Sequence, residues 1–150
     1  MDVKLFRQFL FWTLATAVLP VLFIGMIWVI GGLVLNTNGT FSEVFGTGDL
    51  LPLAALLFLT VGADIRLEGE DRPLGAAMAI QEVMFLLAAI GAICLYGSIK
   101  THAVDLVKTS STKESHDALH AFAVTSWTYV AYALVHTIPV KATLIFGRKA

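Results

Sequence analysis

The sequence predicts an all-α integral membrane protein, a bundle of four transmembrane helices joined by short loops, with the second span short. Three observations predict it. The 150 residues are 57% hydrophobic and only 14% charged, with a mean hydropathy of +0.81, whereas soluble domains run at about 45–50% apolar and about 25% charged. Residues 74–99 form one long apolar run, LGAAMAIQEVMFLLAAIGAICLYGSI, whose only charge is Glu82, flanked by the amide Gln81. At about 1.5 Å of rise per residue this run is long enough to cross a bilayer. Three further apolar segments are separated from it by polar, turn-forming stretches.

Composition also excludes function classes. A net charge of −1 without a basic stripe leaves no footprint for nucleic acid. Cys94 is the single cysteine, so no intrachain disulfide and no cysteine-based metal or redox pair can form. No nucleophile elbow, phosphate loop, dinucleotide fingerprint or intramembrane carboxylate pair is present. The expectation is therefore a non-enzyme without cofactor or metal.

The first span is expected over residues 9–35. Its apolar run exceeds the about 7–15 residues of a signal sequence and no small-residue cleavage site follows, so it should remain as an anchor. Pro20, in its interior, removes a backbone hydrogen bond and should kink the helix, which neighbouring helices can tolerate in lipid. Trp12 and Trp28 stand toward opposite ends as interfacial anchors would. Gly25, Gly31 and Gly32 allow close helix packing or end the helix. Residues 36–49 read as a loop, with Phe41, Val44 and Phe45 in a short interfacial helix capped by Thr40 or Ser42. Asn38 formally begins a glycosylation acceptor, which carries no weight without a eukaryotic setting.

The second span is expected over residues 50–66, with Asp49 as its N-cap and Pro52 harmless in the first turn. Its uncharged part, residues 50–63, covers only about 21 Å of a hydrocarbon core of about 30 Å. A short span with Arg66 snorkelling is favoured over a re-entrant segment because the two flanks differ in basic residues. Residues 64–73, DIRLEGEDRP, then read as a tight charged connection into the third span. Residues 100–115 form the longest polar stretch, with a turn or loop at 109–112. The fourth span is expected over residues 117–138, ending at Pro139.

Basic residues orient the bundle. With the N-terminus inside, Lys4, Arg7, Arg66, Arg72, Lys141, Arg148 and Lys149 lie on the inner side and Lys100, Lys108 and Lys113 on the outer. That bias predicts N-in and C-in.

Three constellations carry candidate chemistry. Glu82 is costly in hydrocarbon unless paired, neutralised or hydrated. It either sits at the inner headgroup level within reach of Arg66 or Arg72, or points into the bundle or an oligomer axis beside Gly75 and Ala79. Thr125, Ser126, Tyr129 and His136 give the fourth span a polar face, which either bonds its own backbone or lines a pore together with Gln81 and Glu82. His116 and His120, at i and i+4 with His102 upstream, offer two imidazoles on one helix face, but the spacing fixes no third ligand for zinc. Haem ligation by His120 and His136 would need two helices or an oligomer, since both sit on one helix.

Two functions follow as expectations. One is a small, homo-oligomeric sensor or scaffold subunit in the lipid bilayer that docks a cytosolic protein partner through Arg66, Glu68, Glu70, Asp71, Arg72, Lys141, Arg148 and Lys149. The other is an oligomeric ion channel lined by Glu82 and the polar face of the fourth span. A membrane enzyme using Glu82 and the fourth-span histidines is disfavoured, because those residues fall on different helices.

Residues 48–65, GDLLPLAALLFLTVGADI, open a short span with a glycine, an acid and a leucine pair. This stretch resembles small four-helix membrane components of bacterial anti-phage operons of the Kiwa type. The resemblance covers under a fifth of the chain and brings no functional residue with it. It implies a bacterial inner-membrane protein in defence, and it favours the partner-docking reading.

Overall fold

The computed structural model describes residues 3–34, 45–71, 75–108 and 113–147, all helical but for short turns. Arg72, Arg148 and Lys149 lie outside the described residues, as do the side chains of Asp71 and Trp28 and the surroundings of Gly31 and Gly32. So do Asn38, Thr40, Phe41, Ser42 and Val44, and residues 109–112.

The chain opens with α1, Val3–Thr13, passes through a π-helical turn, Leu14–Val18, and continues as α2, Leu19–Val34. The turn explains how Pro20 is accommodated. A proline ring collides with the carbonyl four residues back and offers no N–H. Widening the preceding turn relieves this: the Leu19 N–H reaches back five residues to the Leu14 carbonyl. The expected kink is therefore a π-bulge within a helix that begins six residues earlier than the apolar run.

Helix α3 is Leu51–Asp71, α4 is Ala76–Lys108 and α5 is Lys113–Phe146. Each runs further than hydropathy suggests. The charged stretch expected to connect the second and third spans stays helical to Asp71, and the polar stretch after residue 99 stays helical to Lys108. Pro139 does not end α5, which continues to Phe146. Beyond the proline, Leu144 and Ile145 are buried and Phe146 stacks on Phe9 of α1 with ring centroids 5.7 Å apart. Packing on both sides holds the helix together where local propensity would break it.

The core is organised around α3. Leu50, Ala54, Leu57, Phe58, Val61 and Ile65 are at most 1% exposed. Against them lie Phe85, Ala89 and Ala92 of α4 and Ala123, Val130 and Ala133 of α5. On α5 the buried positions Ser115, Leu119, Ala123, Ser126, Val130, Ala133 and Thr137 recur every three or four residues, which is one helical face. That face is built mainly of small residues, so the backbones approach closely. The large side chains point the other way. On α4, Ile80, Val83, Met84, Leu87, Ile90 and Ile93 are 49–64% exposed. Such an inside-out arrangement leaves many large apolar side chains exposed along α4. Among the described residues, three helices are long and apolar enough to cross a membrane: Val3–Leu22, Ala76–Ala103 and Lys113–Phe146.

Two ion pairs bracket the length of α3. At its start Asp49 accepts from Lys100 Nζ at 2.8 Å and from Thr47, so its carboxylate is engaged with these side chains. Gly48 makes the turn into α3 with φ +78°, and a Cβ there would stand 3.0 Å from Ile99 Cγ2. Toward its end Asp64 pairs with Lys141, whose ammonium also lies 5.4 Å from the Trp12 ring centroid. From Asp49 to Asp64 the axial rise is about 22 Å.

Candidate functional site

Helices α3 and α4 are in contact at Gly62. A Cβ at Gly62 would stand 3.7 Å from Phe85 Cβ and 4.0 Å from the Glu82 carbonyl oxygen. With only a hydrogen there, α4 presents the first turns of its apolar run directly to α3. The helical repeat then sets Phe58, Gly62 and Arg66 on one stripe of α3, with Leu59 and Ala63 beside it, opposite Glu82 and Leu86 at i and i+4 on α4. Together these residues line a cavity of about 220 Å³.

Glu82 is half-buried in this cavity and Arg66 is exposed at its edge. Glu82 thus shares a site with the arginine that the sequence offered as its structural partner. The two do not close into an ion pair, and neither has a hydrogen-bond or ion-pair partner among the described residues. The Asp64–Lys141 pair stands at nearly the same height on the bundle, since Asp64 is half a turn from both Gly62 and Arg66. Gln81 is half-buried next to Glu82.

The hydroxyls of α5 are satisfied locally. Thr125 donates to the Ala121 carbonyl at 2.8 Å, Ser126 to Phe122 at 2.8 Å and Thr137 to Ala133 at 2.7 Å. His136 Nδ1 donates to the Tyr132 carbonyl at 2.9 Å and its ring stacks on Tyr132 with centroids 4.0 Å apart. Ser126 and Thr137 face the core, whereas Thr125 faces outward, so these residues do not share one surface. Tyr129 crosses to α4, where its hydroxyl donates to the Ala88 carbonyl at 3.4 Å and lies 2.9 Å from where a Cβ of Gly91 would be. Phe58 fills the space between, its ring 5.6 Å from Phe85, 6.4 Å from Tyr129 and 5.9 Å from Tyr132, centroid to centroid. The interior of the described bundle is thus filled with side chains from helix to helix.

Of the docking residues named from sequence, Arg66 and Glu70 are exposed on the last turns of α3, and Glu68 is buried at 6% exposure. Lys141 is turned inward onto Asp64. The contact of Phe9 with Phe146 carries the exposed Lys4 and Arg7 to this same end of the molecule. His102, His116 and His120 are exposed at the other end, and no group of three or more metal-ligating side chains occurs among the described residues.

Sequence reasoning missed Gly62, which lies against α4, and Gly91, on which the Tyr129 hydroxyl packs. Gly25 and Gly75, which it singled out, have nothing within 4 Å of a built Cβ. Only the apolar flanks of Gly62 and Gly91 were visible in the chain, and these are common to every glycine in a span.

The described residues form an all-helical protein with three helices long and apolar enough to cross a membrane, and with Glu82 and Arg66 unpaired in the lining of one cavity. Comparison with known protein families, curated proteins and solved structures finds no match for this chain.

Proposed function

We propose that this chain is an integral membrane scaffold or sensor subunit that crosses the bilayer four times, N-in and C-in, self-associates, and docks a cytosolic partner at the charged end that carries Lys4, Arg7, Arg66 and Lys141. The observation that carries the proposal is the gathering of Lys4, Arg7, Arg66 and Lys141 at one end of an apolar-surfaced bundle. Basic residues concentrate on the cytoplasmic side of membrane proteins, and Arg66 and Glu70 stand exposed there.

Helix α3 is the fourth crossing. Its C-terminal half carries Asp64, Arg66, Glu68 and Glu70, and it is not among the three helices apolar enough to cross by composition alone. However, α4 and α5 wrap it, so most of its surface never meets lipid. Its exposed mid-helix residues, Leu56 and Leu59, are apolar, and Arg66 and Glu70 fall in its last turns.

The filled interior and the locally bonded hydroxyls of α5 favour this reading over conduction through one protomer. A path between protomers remains the second reading, supported by the unpartnered carboxylate of Glu82. Crosslinking in native membranes followed by purification separates the two. A stoichiometric cytosolic partner that is lost in an Arg66→Glu, Glu70→Lys double variant is the expected result. Its absence, together with liposome ion flux that depends on Glu82 in a Glu82→Gln comparison, would replace docking with conduction.

A further inference from the structure

We propose that the cavity between α3 and α4 seats the headgroup of a phospholipid bearing a primary ammonium, with the phosphate on Arg66 and the ammonium on Glu82. The inference goes beyond the docking role and rests only on the membrane setting. Its first support is the pair of opposite charges. Glu82 and Arg66 line one space without bridging it, and neither is satisfied elsewhere among the described residues. A guanidinium presents a planar fork suited to phosphate oxygens, and a carboxylate accepts the N–H donors of an ammonium. A zwitterion carrying both groups satisfies both side chains and leaves no net charge in the site.

The second support is the shape and position of the cavity. About 220 Å³ is below the about 300–1,000 Å³ of sites for drug-sized molecules. It suits a headgroup whose chains stay outside. Leu59 and Leu86, 42% and 51% exposed, continue from the cavity onto the apolar exterior, where acyl chains would lie. The Asp64–Lys141 pair beside it marks the charged border of the apolar surface, where headgroups reside.

The walls also discriminate among lipids. A quaternary choline has no N–H to give Glu82 and is held by aromatic cages, yet the one aromatic lining residue, Phe58, is 1% exposed. An anionic headgroup without an amine would face the Glu82 carboxylate with nothing to balance it.

The test uses nanodiscs of equal phosphatidylethanolamine, phosphatidylcholine and phosphatidylglycerol, with native mass spectrometry of the lipids retained on the full chain. The expected result is retention of phosphatidylethanolamine about tenfold above phosphatidylcholine, the worth of one charge-assisted hydrogen bond. Glu82→Gln should abolish that preference while leaving phosphate-dependent retention, and Arg66→Gln should lower retention of both lipids. Ala63→Leu, which adds bulk to the cavity lining and keeps both charges, should lower lipid retention, and thermal unfolding of each variant in detergent separates lost binding from a folding defect. Equal retention of the ethanolamine and choline lipids, a preference for phosphatidylglycerol, or an ethanolamine preference unchanged in Glu82→Gln would overturn the proposal. Failure of the chain to enter the nanodisc would instead overturn the membrane reading.

Discussion

At the scale of single residues, side-chain size decides where helices touch. Tyr129 reaches the Ala88 carbonyl only because Gly91 has no side chain, and an added Cβ would stand 2.9 Å from its hydroxyl. That hydroxyl is the far end of a side chain and can swing aside at the loss of one hydrogen bond. The loss of about 1 kcal/mol is offset by the about 1 kcal/mol that alanine gains over glycine in a helix interior, so Gly91→Ala should leave stability nearly unchanged. In a Tyr129→Phe background the same substitution should stabilise by about 1 kcal/mol, a coupling that a double-mutant cycle of unfolding in detergent would read. Equal effects in the two backgrounds would mean that the contact does not form. Lys141 presents the opposite case, because its partner cannot move away. Lys141→Met strands Asp64, 31% exposed at its side chain, inside the bundle and should cost about 1–3 kcal/mol. Adding Asp64→Asn should recover part of that loss. A Lys141→Met protein as stable as the wild type would show that the pair contributes nothing. Glu82 was legible as a candidate because an acid in a long apolar run stands out by composition alone. Its neighbour across the cavity was named as well, since Arg66 is among the nearest basic residues in the chain. What sequence could not supply is the separation between them, which depends on how closely Gly62 lets α4 approach.

At the scale of elements, the helices are longer than the apolar runs that announce them. Hydropathy registers the lipid-facing stretch, whereas a helix ends where its hydrogen bonds and packing end. Hence α4 carries its polar continuation to Lys108, and α5 passes Pro139 because Leu144, Ile145 and Phe146 have contacts waiting. The period of small residues facing inward on α5 was present in the sequence, but hidden among equally apolar outward positions. In lipid both faces of a span are greasy, so the usual contrast between a wet and a dry side is missing. The proline in α5 leads to a prediction. Pro139 is exposed and the helix is continuous through it, so Pro139→Ala restores an N–H and removes a ring clash without disturbing a buried contact. The variant should gain about 1–2 kcal/mol, less than the about 3 kcal/mol separating the two residues in a soluble helix. A raised midpoint of thermal unfolding in detergent is the readout. A lowered midpoint would show that the proline is needed to seat Leu144 and Ile145. Pro20 differs, because its π-turn shifts the register of everything before it, including Trp12 against Lys141.

At the scale of the whole molecule, the test is whether the ends of the bundle face opposite compartments. The pairs Asp49–Lys100 and Asp64–Lys141 mark two levels about 22 Å apart along α3. That distance is short of a hydrocarbon core of about 30 Å, a mismatch that local thinning and snorkelling side chains would have to absorb in the proposed membrane setting. Beyond Lys100, α4 and the start of α5 project a further two turns, about 12 Å. This projection carries the exposed His102, Asp105, His116 and His120 clear of the apolar surface. Arg7 belongs to the other end, which Phe9 and Phe146 draw together. If α3 is a full crossing, three spans separate residues 7 and 102, and they face opposite sides. If α3 only dips into the bilayer, two crossings separate them and they face the same side. In a Cys94→Ser background, Arg7→Cys and His102→Cys place one thiol at each exposed position. A membrane-impermeant maleimide added to intact cells should label His102→Cys directly and Arg7→Cys only after permeabilisation. The reverse pattern would invert the orientation and move the docking face outside. Labelling of both thiols from one side would remove α3 from the count of crossings while leaving it at the centre of the core.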